Sequence, residues 1–296
     1  MVGAAKPEGG KSVKSAERVL DLLETIGTKG QGVTFSGLSQ ELGIPKSSLH
    51  ALLEVLQSRS YIDLDPETRR YRLGIRVWET GQAYQRHHNV IEAAQTVLQS
   101  IVDAVNETAQ LAKLVGHENV YLAKVDSTHA LRLQSEVGTR LSAHATGVGK
   151  VLLAQFDDDE IALRFGRSTV PVYTRNTSPT VAALIDELEV IRARGFAIDN
   201  EEYTPGVFCL AVPVYDAGET ATTALSVSVP VTRATVRDLG FVLARLADGA
   251  LQLGRSSGGR YVDPQLRALC DATNARKAVQ DVVNSGRYAL GFDATL

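Results

Sequence analysis

The segment 36–56 constrains the fold more than any other part of the chain. Leu38 and Leu42 share one face of a short helix, and Gly43 can take the left-handed turn conformation that ends it. Pro45 then suits the first turn of a new helix, where its missing N–H would have no partner anyway. Behind it Leu49, Leu52, Leu53 and Leu56 recur at helical spacing. Upstream, from Ser15, the residues Ala16, Val19, Leu20, Leu23 and Ile26 make a third apolar stripe that Gly27 should stop. Three short helices therefore close around one small core. Downstream, the alternating runs 61–64 and 71–73 flank a turn at 65–70, which reads as a β-hairpin with a basic limb. Helix, helix, turn, helix, hairpin is the order of a winged helix-turn-helix.

If the leucines of the third helix face inward, Lys46, Ser47, Ser48, His50 and Ala51 lie outward on its first turns, where such a protein meets base edges and phosphates. Small hydroxyls and a cation at a helix start suit a phosphate backbone. On the hairpin, Arg69, Arg70 and Arg72 are placed for a flanking phosphate or the minor groove, with a solvated strand face as the plainer alternative. The net charge of −3 divides into +2 over residues 1–89, −7 over 90–253 and +2 over 254–296. A polyanion is least welcome in the middle, and contact at the front has to come from local clustering.

With 296 residues the chain has room for two domains. Residues 1–11 lack periodicity and are expected to be a disordered lead-in, followed by the winged helix-turn-helix at 12–74. Residues 75–89 read as a linker helix with Ile75, Trp78, Tyr84 and His88 spaced for packing. From 90 to 253 helices near 91–106, 146–155, 157–166, 180–195 and 232–253 alternate with strands near 109–115, 119–125, 130–135, 196–199, 207–214 and 222–229. Neighbouring strands with flanking helices predict an α+β domain on a mainly antiparallel sheet, so the chain as a whole is of mixed α/β class. After Gly254, Arg-Ser-Ser-Gly-Gly predicts a flexible break. The rest of the 254–296 extension is expected to be partly helical, with Leu266, Leu269, Val279 and Val283 as packing positions.

Composition removes other classes. At 44% apolar and 22% charged residues, the chain is neither disordered nor a disulfide scaffold. No apolar run approaches the ~18 residues of a membrane span, and the opening residues lack a signal-peptide core, which predicts a cytoplasmic protein without membrane contact. Two cysteines, Cys209 and Cys270, leave no room for a four-cysteine zinc site and fit a reducing compartment. No metal or cofactor is expected. The acidic run 157–160 is the ordinary start of a surface helix, and His87 with His88 a helix surface. Gly147 and Gly149 do not form a nucleotide loop, because His144, Val151 and Leu152 stand where the phosphate and dinucleotide patterns need Gly, Ser/Thr and Gly. Cys209 and His144 as nucleophile and base have no third orienting group in view, so no catalytic residue is assigned.

Two polar features remain in the rear domain. The run 144–150 opens a helix, and N–H groups around Gly147 and Val148 attract anions such as a carboxylate. On the strand 222–229, Ser226 and Ser228 share one face while Leu225, Val227 and Val229 take the other.

The stretch LSQELGIPKSSLHALLEVLQSRSYIDLD, followed by RRYRLG, resembles the winged helix-turn-helix of the IclR family of bacterial transcriptional regulators. The resemblance continues through SAHATGVGKVLLA (142–154) and RGFAIDNEEYTPGVFCLAVPV (194–214), spanning residues 12–253. It implies a GAF-like domain at 90–253 that binds a small, carboxylate-bearing effector, and a homodimer or dimer of dimers on a palindromic operator in double-stranded DNA. Its effector pocket would draw on Asp199 and Cys209, with Leu133 as an apolar wall, beside Gly147, Val148, Ser226 and Ser228. The plainer readings make Cys209 a small buried hydrophobe, Asp199 a turn former and Ser226 a packed hydroxyl. Ala51 departs from the bulkier, often basic residue of many relatives, so base specificity does not carry over, and the segment after 254 lies beyond the usual end of the family. The resulting expectation is a DNA-binding regulator modulated by a metabolite. The competing one is a metabolite sensor acting through a protein partner, without sequence-specific DNA binding.

Overall fold

A computed structural model describes residues 13–86, 89–130, 136–166, 169–215 and 219–286, and its contacts divide the chain into two units, 1–87 and 88–296. In the first, helix α1 (Lys14–Thr28) buries Leu22 and Ile26 rather than Leu20, which is 59% exposed. Gly27, predicted as its stop, lies inside the last turn, since one glycine costs a helix only ~1 kcal/mol. A short strand β1 (Val33–Thr34) leads into α2 (Phe35–Leu42), whose first turn is capped by the Thr34 hydroxyl accepting from the Gly37 N–H at 3.2 Å. Gly43 ends α2 at φ +61°, as the sequence predicts. Pro45 sits one position earlier than predicted, as the residue preceding α3 (Lys46–Ser58), which buries Leu49, Leu53 and Leu56.

The wing is β2 (Ile62–Leu64) and β3 (Arg70–Leu73), and β1 pairs with the far side of β3, giving the order β1-β3-β2. Its turn is held by the Asp65 carboxylate, which accepts from the N–H groups of Glu67 and Thr68 at 2.9 and 3.0 Å, while Arg69 takes φ +53°. Helix α4 (Ile75–Arg86) corrects one expectation: Ile75 and Trp78 are 59% and 62% exposed, not packed within this unit. His87 and His88 lie outside the described residues.

The second unit is built on a six-stranded antiparallel sheet. Its strands are β4 (Thr108–Val115), β5 (Glu118–Val125), β6 (Arg140–Ser142), β7 (Ala197–Asn200), β8 (Val207–Val214) and β9 (Thr223–Pro230), in the order β6-β5-β4-β9-β8-β7. The short edge strand β6 is not foreseen by the sequence pattern, and the strand expected near 130–135 falls largely outside the described residues.

Registers sort the side chains onto two faces. Ala109, Leu111, Leu210, Val212, Leu225 and Val227 turn to one side and form the larger core with α5 (Asn89–Val105) and α9 (Val236–Ser256). The break predicted after Gly254 comes two residues later. The extension also belongs to this core: Leu266 and Leu269 of α10 (Pro264–Leu269) and Ala275, Val279 and Val282 of α11 (Ala272–Asn284) are buried in it, and Val283 packs against it partly buried. The other face carries the second core, roofed by α6 (Gly147–Leu153) and α8 (Val181–Arg194), with α7 (Asp158–Phe165) beside them. Among the described residues no helix is long and apolar enough to cross a membrane.

Candidate functional site

On the first unit, Lys46, Ser47, His50 and Ala51 are exposed and Ser48 is half-buried. Four-residue spacing places Lys46 with His50, and Ser47 with Ala51, on the side away from the buried leucines. The amino end of α3 has no side-chain cap and no acidic residue in its first turn, so its N–H groups and partial positive charge are left for an outside anion. Arg69 is exposed at the tip of the wing and Arg72 lies 4.0 Å from Asp65. Arg70 is half-buried and donates from Nη1 to the Gly32 carbonyl at 2.8 Å, so one of its five donors ties β3 to the loop before β1.

In the second unit the register brings the predicted rear residues onto one face. Asp199 pairs with Cys209, Cys209 with Ser228, and Ser228 with Thr108; one step along, Ala211 pairs with Ser226 and Ser226 with Gln110. Cys209 Sγ lies 3.2 Å from Ser228 Oγ, and the Ser226 hydroxyl donates to Gln110 Oε1 at 3.5 Å. Gly147 crosses above, so near the sheet that an added Cβ would stand 3.3 Å from that of Ala211 and 3.7 Å from that of Cys209. Val148 is buried beside it. Six of the seven predicted pocket residues thus belong to one neighbourhood; Leu133 lies outside the described residues.

Sequence reasoning missed the charges beneath. Lys150 is fully buried, and its ammonium donates to Glu187 Oε1 at 2.6 Å and to both carboxylate oxygens of Glu202. Asp199, buried nearby, accepts from the Glu202 N–H at 2.7 Å. One cation therefore serves three buried carboxyl groups, and burial, offset in part by Lys150, raises Asp199 to about 6 and Glu202 to about 8. Glu187 and Glu202 lie 37 and 52 residues from Lys150, and no local pattern joins them.

Burial, with Asp199 nearby, pushes the Cys209 thiol far up, so it stays protonated, and either it or the Ser228 hydroxyl donates in the contact between them. Burial also lowers His144, whose Nε2 lies 2.8 Å from the Pro171 carbonyl and donates to it as neutral imidazole. The acidic run opens α7, with Asp157 as its cap, Oδ1 accepting from the Glu160 N–H at 2.8 Å.

Residues 15–66 match the family described as the IclR helix-turn-helix domain, and residues 82–255 match the one described as bacterial transcriptional regulator IclR C-terminal. The chain is 32% identical over 246 residues to the HTH-type transcriptional regulator XynR of Escherichia coli, covering 83% of this chain and 98% of XynR. It is 30% identical over 253 residues to the regulator BhcR of Paracoccus denitrificans, covering 86% and 89%. The crystal structure of Thermotoga maritima IclR superposes with a TM-score of 0.68 at 25% identity over 83% of this chain and all of that one. An IclR homolog from Microbacterium hydrocarbonoxydans, complexed with 4-hydroxybenzoate, shares the fold at a TM-score of 0.74 and 21% identity, covering 82% of this chain and 99% of the homolog. An operator-reading helix in front and an effector-binding α+β domain behind are what these matches have in common with the geometry, and the chain belongs to the IclR family of DNA-binding transcriptional regulators.

Proposed function

We propose that this cytoplasmic regulator binds a palindromic operator as a homodimer, or a dimer of dimers, and that a small carboxylate held in its rear domain changes that binding. The uncapped, outward amino end of α3, with Lys46, Ser47 and His50 exposed on it, carries the reading. Ser48 at the same end, with Arg69 and Arg70 on the wing, adds phosphate contacts on either side of the groove. Two-fold dimers place such helices in half-sites one turn apart, about 34–36 Å. The exposed Ile75, Trp78 and Tyr84 of α4 supply apolar surface for pairing two copies.

The effector lies on the polar face of the second sheet, among Asp199, Cys209, Ser226 and Ser228, with Gly147 and Val148 above. Domain limits at 12–74, 75–89 and 90–253 agree with this division of labour. The bound 4-hydroxybenzoate of the Microbacterium homolog supports the class of ligand.

The test is duplex binding to the DNA upstream of its own gene, measured against salt. Affinity should fall steeply as salt rises. Lys46→Ala or Arg69→Ala should weaken it for all sequences and flatten the salt slope by about one unit. Absence of duplex binding at low salt would sink the proposal.

A further inference from the structure

Two polar residues on the ligand-facing side of the sheet have no part in the assignment above. Tyr121 of β5 is buried, and its pairing partner is Ala112, which in turn pairs with Ala224. Side chains this small leave room for the phenol to lie across the strands. Its hydroxyl falls within the electrostatic reach of Cys209 and Asp199, and burial and those two neighbours keep it protonated, hence a donor.

Asn119, two residues back on the same face, is fully buried. Its carbonyl oxygen accepts from the Thr146 hydroxyl at 2.7 Å, with the NH2 group turned the other way. That nitrogen has no acceptor in hydrogen-bond geometry, its approach to the Tyr121 hydroxyl falling short of one. A buried donor left over beside a polar pocket is accounted for when a ligand brings the acceptor.

We propose that Tyr121 and Asn119 form the donor half of the effector pocket, the phenol O–H and the amide N–H together reading an acceptor oxygen of the metabolite's acid group. The inference rests on the rear-domain pocket proposed above and adds the residues that select the ligand. Ser226, Ser228 and the Cys209 thiol can both donate and accept, so they do not by themselves favour an acid over an alcohol. The Asn119 nitrogen can only donate, and with the Tyr121 O–H beside it two donors meet one acceptor group, which favours an acid.

Wild-type protein, Tyr121→Phe and Asn119→Asp, all full-length, would be titrated by calorimetry with lactate, benzoate and 4-hydroxybenzoate. Ligand-free melting and operator binding would be measured on the same samples. An acid that binds wild type should bind Tyr121→Phe about tenfold more weakly, with ligand-free melting and operator affinity unchanged. Asn119→Asp keeps the oxygen that meets Thr146 but replaces the donor with a carboxylate, and should lose acid binding while still binding operator. Acid binding by Tyr121→Phe equal to wild type overturns the inference, as does joint loss of melting temperature and operator binding, which would make the phenol a packing group. Should none of the acids bind wild type, the acid-binding pocket itself fails and this inference with it.

Discussion

Gly149 has no alternative in this chain. A Cβ there would stand 2.2 Å from the Ala143 carbonyl oxygen, which belongs to backbone and cannot swing aside. Gly149→Ala should therefore destabilise the rear domain by about 1–3 kcal/mol, visible as a lower melting temperature, by forcing α6 away from the turn 143–145 that precedes it. The pocket residues call for the opposite outcome. Ser226→Ala removes one hydroxyl from a face already lined with alanines, and Cys209→Leu fills space beside Ser228. Both should abolish the effector response and leave operator binding intact. Loss of operator binding in both would show that these side chains hold the core and do not touch a ligand. Their burial is what each role requires, so a fractional exposure does not separate the two, whereas the paired measurement does.

Helices α9 and α11 meet at a glycine as well. At Gly240 a Cβ would lie 2.7 Å from the Cα of Arg276, so the two backbones touch where a side chain would hold them apart. Gly240→Val should pry α11 loose, raising hydrogen exchange across residues 272–284 while β8 and β9 remain protected. Equal protection of α11 in wild type and variant would mean that the extension is held elsewhere. That α10 and α11 join the core, rather than trailing from it, could be anticipated only in part. The apolar spacing of Leu266, Leu269 and Val279 is legible in the sequence, but their partner, α9, is set by tertiary contacts.

The same division between local and distant information runs through the molecule. Gly43 and the alternation along β9 act within a few residues, and the sequence shows them. Strand β6 has three residues, too few for any period. In α1 the apolar positions allow two stripes, and packing against α2 and β3 chooses the one with Leu22. Trp78 follows helical spacing but stays 62% exposed within its own unit, so spacing alone does not decide whether it packs. Lys150 was legible only as the lysine after a glycine; its burial depends on two glutamates from distant elements.

For the molecule as a whole, that buried cluster sets an unusual dependence of stability on pH. Three carboxyl groups share one ammonium out of reach of water, so full ionisation would leave two uncompensated negative charges in the interior. Glu202 is raised in the folded protein from its ordinary 4.5 to about 8, and Asp199 from 3.8 to about 6. A carboxyl group whose folded pKa lies above its unfolded value binds more proton in the folded state throughout that interval. Its contribution to stability is therefore full below about 4.5 and is lost as the pH rises toward 8, the reverse of a carboxylate in an ordinary surface ion pair. The slope should reach at most about 1.4 kcal/mol per pH unit for each proton released. Glu202→Gln keeps an oxygen for Lys150 but has nothing to ionise, so it should flatten the decline and make the variant more stable than wild type near pH 8. Chemical denaturation across pH 5–8 measures both curves. Wild-type stability that stays level over this range, or a variant whose slope matches wild type, would show that the three carboxylates are ionised together and that Lys150, with the surrounding backbone N–H groups, suffices to hold them.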